Sequence, residues 1–278
     1  MDSLKRFVDM NIWYNRSDVK FEQIKYLKNR EMAMLIPSWC SEEIKKGSIR
    51  MLKCHSVQHF DYITKNGVRM WDKMLPYNFY YSLAKYKNGI PNQTFNFSER
   101  DNTEWSKIHH SVMESYDFLI DIDAVSFDDI YHAHFSAGNI ISYFNLKEVP
   151  FEVRFSGKGF HIVIPFRYFH EKGYSFEPKS KDSIYTIYSR IARKLSKKFS
   201  EMIDIGIYDS RRVCKLPFSL SLYENFIYVC YPFRDLNEFD DFLLCKFELD
   251  NFGFAVKRDK IAVFNENGSI EPLLELIK

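Results

Sequence analysis

Between Tyr116 and Ala124 the chain reads Tyr-Asp-Phe-Leu-Ile-Asp-Ile-Asp-Ala. Apolar and acidic residues alternate toward its end, the period-two pattern of a strand with one face in a core. Ser126 follows as a helix N-cap, with Asp128 and Asp129 in the first turn, where acids suit the helix dipole. Ala133, Ala137, Ile140, Ile141 and Phe144 then fall on one stripe, which predicts a helix running toward Phe144. Phe151 to Ser156 and Phe160 to Phe166 read as two strands, joined by the hairpin signal Gly157-Lys158-Gly159. A second helix is predicted from about Asp182 to Met202. Ile184, Ile187, Tyr188, Ile191, Leu195 and Phe199 form its apolar face, opposite Arg190, Arg193, Lys194, Lys197 and Lys198. Arg212 to Pro217 reads as a further strand, as do Phe226 to Tyr231 and Phe242 to Phe247, with a short helix near Leu273.

The order strand, helix, strand, strand, helix, strand is the split βαβ unit, the topology of an RNA-recognition motif, so the class is α+β. Upstream, Lys-rich helical stretches alternate with short apolar runs such as Met32 to Ile36. Polar sequence from Asn88 to Thr103 marks a seam. It divides an N-terminal α/β unit, residues 1–103, from a second unit, residues 104–278. No internal repeat or low-complexity tract is present.

Composition narrows the class without naming the work. Of 278 residues 46% are hydrophobic and 17% aromatic, too apolar for a disordered chain. The 39 basic and 37 acidic residues leave a net charge of +2, so any basic groove must come from local arrangement. Met1 to Asn11 already carries Asp2, Lys5, Arg6 and Asp9, unlike a secretory leader. No apolar run approaches the roughly 20 residues of a membrane span. Five scattered cysteines (Cys40, Cys54, Cys214, Cys230 and Cys245) read as structural thiols of a reduced, cytoplasmic protein.

Asp121 and Asp123 lie two apart on a strand, so both side chains leave one face, shared with Leu119, while Ile120 and Ile122 enter the core. Two like charges this close repel, and a divalent cation between them relieves the conflict; oxygen ligands suit Mg²⁺ or Mn²⁺. Standing alone, an Asp-x-Asp is more often a solvated strand end. Ser156-Gly157-Lys158-Gly159-Phe160-His161 offers backbone N–H groups and a lysine for phosphate oxygens, though alone it is also an ordinary tight hairpin. First and third strands are neighbours in a split βαβ sheet, so Asp121, Asp123 and His161 can share one surface. The segment Met202 to Ser219 adds Asp204, Asp209, Arg211, Arg212 and Lys215. An acid there completes a three-carboxylate cage, and Arg212 with Lys215 can neutralise a triphosphate. By itself the segment also reads as a surface turn of mixed charge.

Together these segments resemble the catalytic subunit of archaeo-eukaryotic primases and the related primase-polymerases, from about Ile24 to Ser221. Phe118-Leu-Ile-Asp-Ile-Asp is similar to the family's DxD metal motif, and Ser156-Gly-Lys-Gly-Phe-His to its SxGxH motif. Asp204-Ile-Gly-Ile-Tyr, with Arg212 and Lys215-Leu-Pro-Phe-Ser-Leu, is similar to the third. Asn29-Arg30-Glu31, Ile49-Arg50, Leu75-Pro76-Tyr77 and Tyr81-Ser82 follow the N-terminal pattern. The resemblance implies an RRM-like catalytic subdomain in which Asp121, Asp123 and Asp204 hold two Mg²⁺ or Mn²⁺ ions, with Asp209 the rival third acid. It implies nucleotide contacts from Arg30, Ser156, Lys158, Gly159, His161, Arg212, Lys215 and Ser219. The activity implied is priming and extension on single-stranded DNA, a primer 3′-hydroxyl attacking the α-phosphate of a nucleoside triphosphate. No membrane partner is implied.

Two departures qualify the likeness. Primase catalytic subunits usually insert a zinc-binding element between the first two motifs; here that interval holds His132 and His134 but no cysteine. Cys40, Cys54, His55 and His59 have spacing unlike ordinary zinc sites. Many relatives have a histidine where this chain has Ser221. Both point to a compact primase-polymerase of plasmid, phage or CRISPR-associated type. The rival functions are a template-dependent repair polymerase that cannot start chains and a non-catalytic RNA-recognition domain. The latter predicts aromatics on central strands that here carry acids and His161.

Overall fold

A computed structural model describes residues 12–35, 48–51, 78–87, 113–175, 183–210, 212–223, 226–242 and 262–278. Helix α1 (Ser17–Leu27) leads into β1 (Met32–Leu35), β2 (Ser48–Met51), β3 (Asn78–Ser82), β4 (Ala84–Tyr86) and β5 (Met113–Tyr116). The acid-bearing strand is β6 (Phe118–Asp123), followed by a 3-10 turn over Phe127–Asp129 and helix α2 (Ile130–Leu146). Then come β7 (Glu152–Phe155), β8 (Gly159–Ile164), α3 (Arg167–His170) and α4 (Ile184–Phe199). The remainder holds β9 (Val213–Lys215), β10 (Leu220–Tyr223), β11 (Phe226–Val229), β12 (Tyr231–Pro232), α5 (Leu236–Asp240) and α6 (Glu271–Glu275).

Ile120 and Ile122 are fully buried, as expected, together with Phe160 and Ile162 of β8. Helices α2 and α4 cover that face with Ala133, Ala137, Ile140, Ile187, Tyr188 and Ile191, all at most 3% exposed. Burying each large apolar side chain contributes about 2 kcal/mol. The basic residues of α4 (Arg190, Arg193, Lys194, Lys197 and Lys198) stand exposed on its other side. Helix α4 starts where the Ser183 hydroxyl accepts the Thr186 N–H. It stops short of Met202, because Ser200 turns extended and carries Ile203 to a bridge with Ile122.

Among the described residues two four-stranded sheets, in the orders β2-β1-β3-β9 and β12-β7-β8-β6, stand beside the two-stranded pairs β4-β5 and β10-β11. In the second, β6, β8 and β7 keep the expected neighbours, all antiparallel. The expected fourth strand does not join them. Residues 213–215 form β9, which pairs with β3 in the first sheet, while the place beside β6 is marked by the single Ile122–Ile203 bridge. The first sheet therefore draws on both sides of the expected division at residue 103. Trp13 Nε1 also crosses it, donating to the Phe218 carbonyl at 2.8 Å.

Ser126 differs too. Its N–H and hydroxyl both donate to Asp129 Oδ2, at 3.0 and 2.8 Å, so the acid caps the serine and the helix begins one turn later. The expected strand Phe226 to Tyr231 is divided between β11 and β12. Leu75-Pro76-Tyr77, Arg211, the Cys40, Cys54, His55 and His59 set, the seam and most of Phe242 to Phe247 lie outside the described residues. No helix of the described residues is long and apolar enough to cross a membrane.

Candidate active site

The polar face of β6 and β8 looks toward β3 and β9 of the other sheet, and a cavity of about 370 Å³ lies between them. Leu119, Asp121, Asp123, Ser156, Lys158, His161, Arg212 and Lys215 line it, joined by Tyr80, Val213 and Cys214. The antiparallel register sets Asp121 opposite His161 and Asp123 opposite Gly159. Alternation along two strands and one tight hairpin thus delivers acids, imidazole and lysine to one surface.

Each of the two glycines has a steric cause. A Cβ on Gly159 would lie 1.9 Å from the Ile122 carbonyl oxygen. Gly157 holds φ at +95°, and a Cβ there would lie 2.4 Å from Ser221 Cβ. The Ser156 hydroxyl accepts the Gly159 N–H at 3.1 Å and closes the hairpin. Lys158 leaves its tip and meets Asp123 Oδ2 at 3.2 Å, both side chains near half exposed.

His161 Nε2 stands 3.3 Å from Asp121 Oδ1 and Nδ1 stands 3.2 Å from Cys214 Sγ. The first contact lacks hydrogen-bond alignment, and Oδ1 is buried without a hydrogen-bond partner. Burial opposes the imidazolium, but Cys214 and Asp121 outweigh it and raise the His161 pKa to about 10. Burial likewise opposes the Asp121 carboxylate, and His161, Arg212 and Lys215 override it, so its pKa is lowered. Lys215 is 7% exposed; burial pulls its pKa down against the pull of nearby Cys230 and the acids. Its Nζ donates to Ser221 Oγ at 2.7 Å.

The donor set fits a hard divalent cation. Asp121 offers a buried oxygen with no hydrogen bond and Asp123 stands on the same face, and Mg²⁺ is commonly held by one or two carboxylates with water and phosphate completing the shell. Among the described residues no group of three His, Cys, Asp or Glu is gathered as a ready-made cluster. Asp204 explains this: its N–H donates to the Asp121 carbonyl at 2.9 Å, but its exposed carboxylate turns back to accept the Gly206 N–H at 2.8 Å. Asp209, like Asp204, is not among the residues lining the cavity, and its backbone carbonyl accepts the Tyr116 hydroxyl at 2.6 Å.

Two expected nucleotide contacts lie elsewhere. Arg30 sits in a second cavity of about 150 Å³ with Asp117, Glu152 and Arg154. Its guanidinium donates to the carbonyls of Ser82 and Leu83 and to Asp117 Oδ2 at 2.5 Å. Arg30 thereby braces the end of β3 and the Leu83 link to β4 against the Asp117 link between β5 and β6. Ser219 is fully buried, its hydroxyl accepting the Phe79 N–H at 2.8 Å. His134 stacks on Phe239 and Phe242 and meets the Phe239 carbonyl at 3.1 Å, a structural role.

Tyr80 and Cys214 are lining residues that sequence reasoning missed. Tyr80 is next to the noted Tyr81-Ser82, and its register partner is Lys215. Cys214 directly precedes Lys215 but reads as one more buried thiol.

No family model matches the chain, and no curated protein matches it in sequence. Among solved structures it is similar to the polymerase domain of Ligase D from Mycobacterium tuberculosis, solved in complex with DNA. The TM-score is 0.50 at 13% identity, covering 87% of this chain and 85% of that one. Primase RepB′ is matched at a TM-score of 0.37 and 10% identity, over 77% of this chain and 54% of that one, too low to bear on the fold. The likeness shows the fold: this chain shares that of the Ligase D polymerase domain.

Proposed function

We propose that this chain is a DNA-directed primase-polymerase, transferring nucleotidyl groups from nucleoside triphosphates to a 3′-hydroxyl on a single-stranded DNA template. The observation that carries the reading is one cavity lined by Asp121, Asp123, Lys158, His161, Arg212 and Lys215. An RNA-recognition surface has no use for two acids facing a buried imidazole.

Asp121 and Asp123 would hold the divalent cation, with Asp204, bonded to Asp121 through its backbone, as the third carboxylate. When bound, such ions lower the pKa of the attacking hydroxyl and neutralise charge on the phosphates. The chain's own residues supply the rest. Lys158 on the hairpin tip, Lys215 of β9, Arg212 just before that strand, and His161 Nε2 surround the space for a triphosphate and stabilise its charge as it grows. Strands β8 and β9 hold His161 and Lys215, so little reorganisation of these two is needed at reaction.

The test is incubation with single-stranded DNA, labelled nucleotides and Mg²⁺ or Mn²⁺, with and without an annealed primer. Dinucleotides and longer products on unprimed template support a primase-polymerase. Extension with no dinucleotide at millimolar nucleotide assigns a repair-type polymerase, and no product under either condition overturns the reading.

A further inference from the structure

We infer that Cys214 is a positioning residue for His161, holding the imidazole so that Nε2 faces the cavity. The consequence for nucleotide binding rests on the polymerase reading; the pairing rests on geometry alone. Cys214 lies at the centre of β9, is 2% exposed and pairs with Tyr81 of β3. Its sulfur therefore comes from the first sheet, whereas His161 belongs to the second. The 3.2 Å contact between Sγ and Nδ1 is a tie across the two sheets, made at one edge of the cavity.

An imidazole turns about its χ2 bond unless a directional contact holds one ring edge, because sp³–sp² torsions have broad wells. On the Nε2 edge Asp121 stands at 3.3 Å without hydrogen-bond alignment, so it does not fix the ring plane. On the Nδ1 edge the sulfur is a weak but directional acceptor. With the Nδ1 edge held against sulfur, Nε2 is the ring nitrogen presented to the cavity, so the pairing settles which edge meets a ligand. Packing alone would be served as well by an apolar residue of similar volume.

The experiment compares the full chain with Cys214→Val, which fills the space without an acceptor, and Cys214→Ser, which restores one. Cys214→Ala stands in if Cys214→Val melts early. Long-range ¹H–¹⁵N spectra of the His161 ring, without nucleotide, should show a distinct bonded Nδ1–H in the wild type. Cys214→Val should lose that signal and Cys214→Ser should keep it, shifted. On primed template, Cys214→Val should raise the nucleotide KM about tenfold with kcat nearly unchanged, the pattern of a lost ground-state contact. Cys214→Ser should restore most of the affinity. Wild-type ring signals and KM in Cys214→Val would overturn the inference. Changed ring signals in chains that add no nucleotide at all would sustain the pairing and sink only the polymerase reading.

Discussion

Lys215 Nζ donates to Ser221 Oγ at 2.7 Å, and both side chains are buried. Ser221 holds the position where the family resemblance led to the expectation of a histidine. It also packs against the hairpin, since any Cβ on Gly157 would strike it. A small hydroxyl thus does two things a ring has no room to do here: it accepts the buried ammonium and lets Gly157 approach. Ser221→Ala should cost about 2 kcal/mol, the range for a hydrogen bond to a charged group. It should also raise the nucleotide KM. Chemical denaturation and steady-state kinetics check this, and no change in either would remove Ser221 from the site.

Asp121→Asn with Asp123→Asn preserves shape while removing both charges from the cavity face. Nucleotide addition should fall at least about a hundredfold, with the circular dichroism spectrum unchanged. Primer extension near the wild-type rate would refute the carboxylate assignment.

Arg30→Ala should damage the fold and spare the chemistry. The substitution leaves Asp117, whose side chain is 13% exposed, without its guanidinium, at a cost of about 3 kcal/mol. Phe166 N–H still donates to Asp117 Oδ1 at 2.9 Å, so the loss should stay local. At a temperature where the variant is folded, the nucleotide KM should match the wild type. A large rise in KM would return Arg30 to the phosphates.

Gly159→Ala should destabilise by about 3 kcal/mol or more. Its Cβ meets backbone, the Ile122 carbonyl at 1.9 Å, and backbone cannot rotate aside. Differential scanning calorimetry reads the loss. A melting point equal to wild type would mean that β6 and β8 are not paired in this register.

Glu152 supplies a pH dependence. Burial pushes its pKa from 4.5 to about 7, against the pull of Arg154. A raised folded pKa contributes stability that is complete below the unfolded value and is lost as pH rises through the folded one. The chain should therefore lose stability between about pH 4.5 and pH 7, and Glu152→Gln should flatten that segment of the curve. Parallel slopes for the two proteins would rule out Glu152 as the source.

Local pattern made one half of the site legible and long-range pairing hid the other. Asp121, Asp123 and His161 could be placed because alternation along β6 and β8 and a three-residue hairpin determine which face each takes. Nothing local tells Val213 to Lys215 to pair with β3, some 130 residues earlier, so β9 was expected beside β6 and Tyr80 and Cys214 went unnoticed. The direction of Asp204 depended on one competing donor, the Gly206 N–H. Arg30 was expected at the phosphates; its guanidinium instead meets the Ser82 and Leu83 carbonyls and Asp117, groups it serves as readily.

Since β9 lies in one sheet and the acids in the other, Lys215 and Arg212 approach Asp121 and Asp123 from a separate slab of structure. A triphosphate in the gap would be a rivet between slabs, gripped from both sides. Sliding of one slab on the other would open the grip without unfolding either, so affinity is a gauge of their alignment. Nucleotide at a hundred times its dissociation constant would add about 2.7 kcal/mol to the stability of the whole.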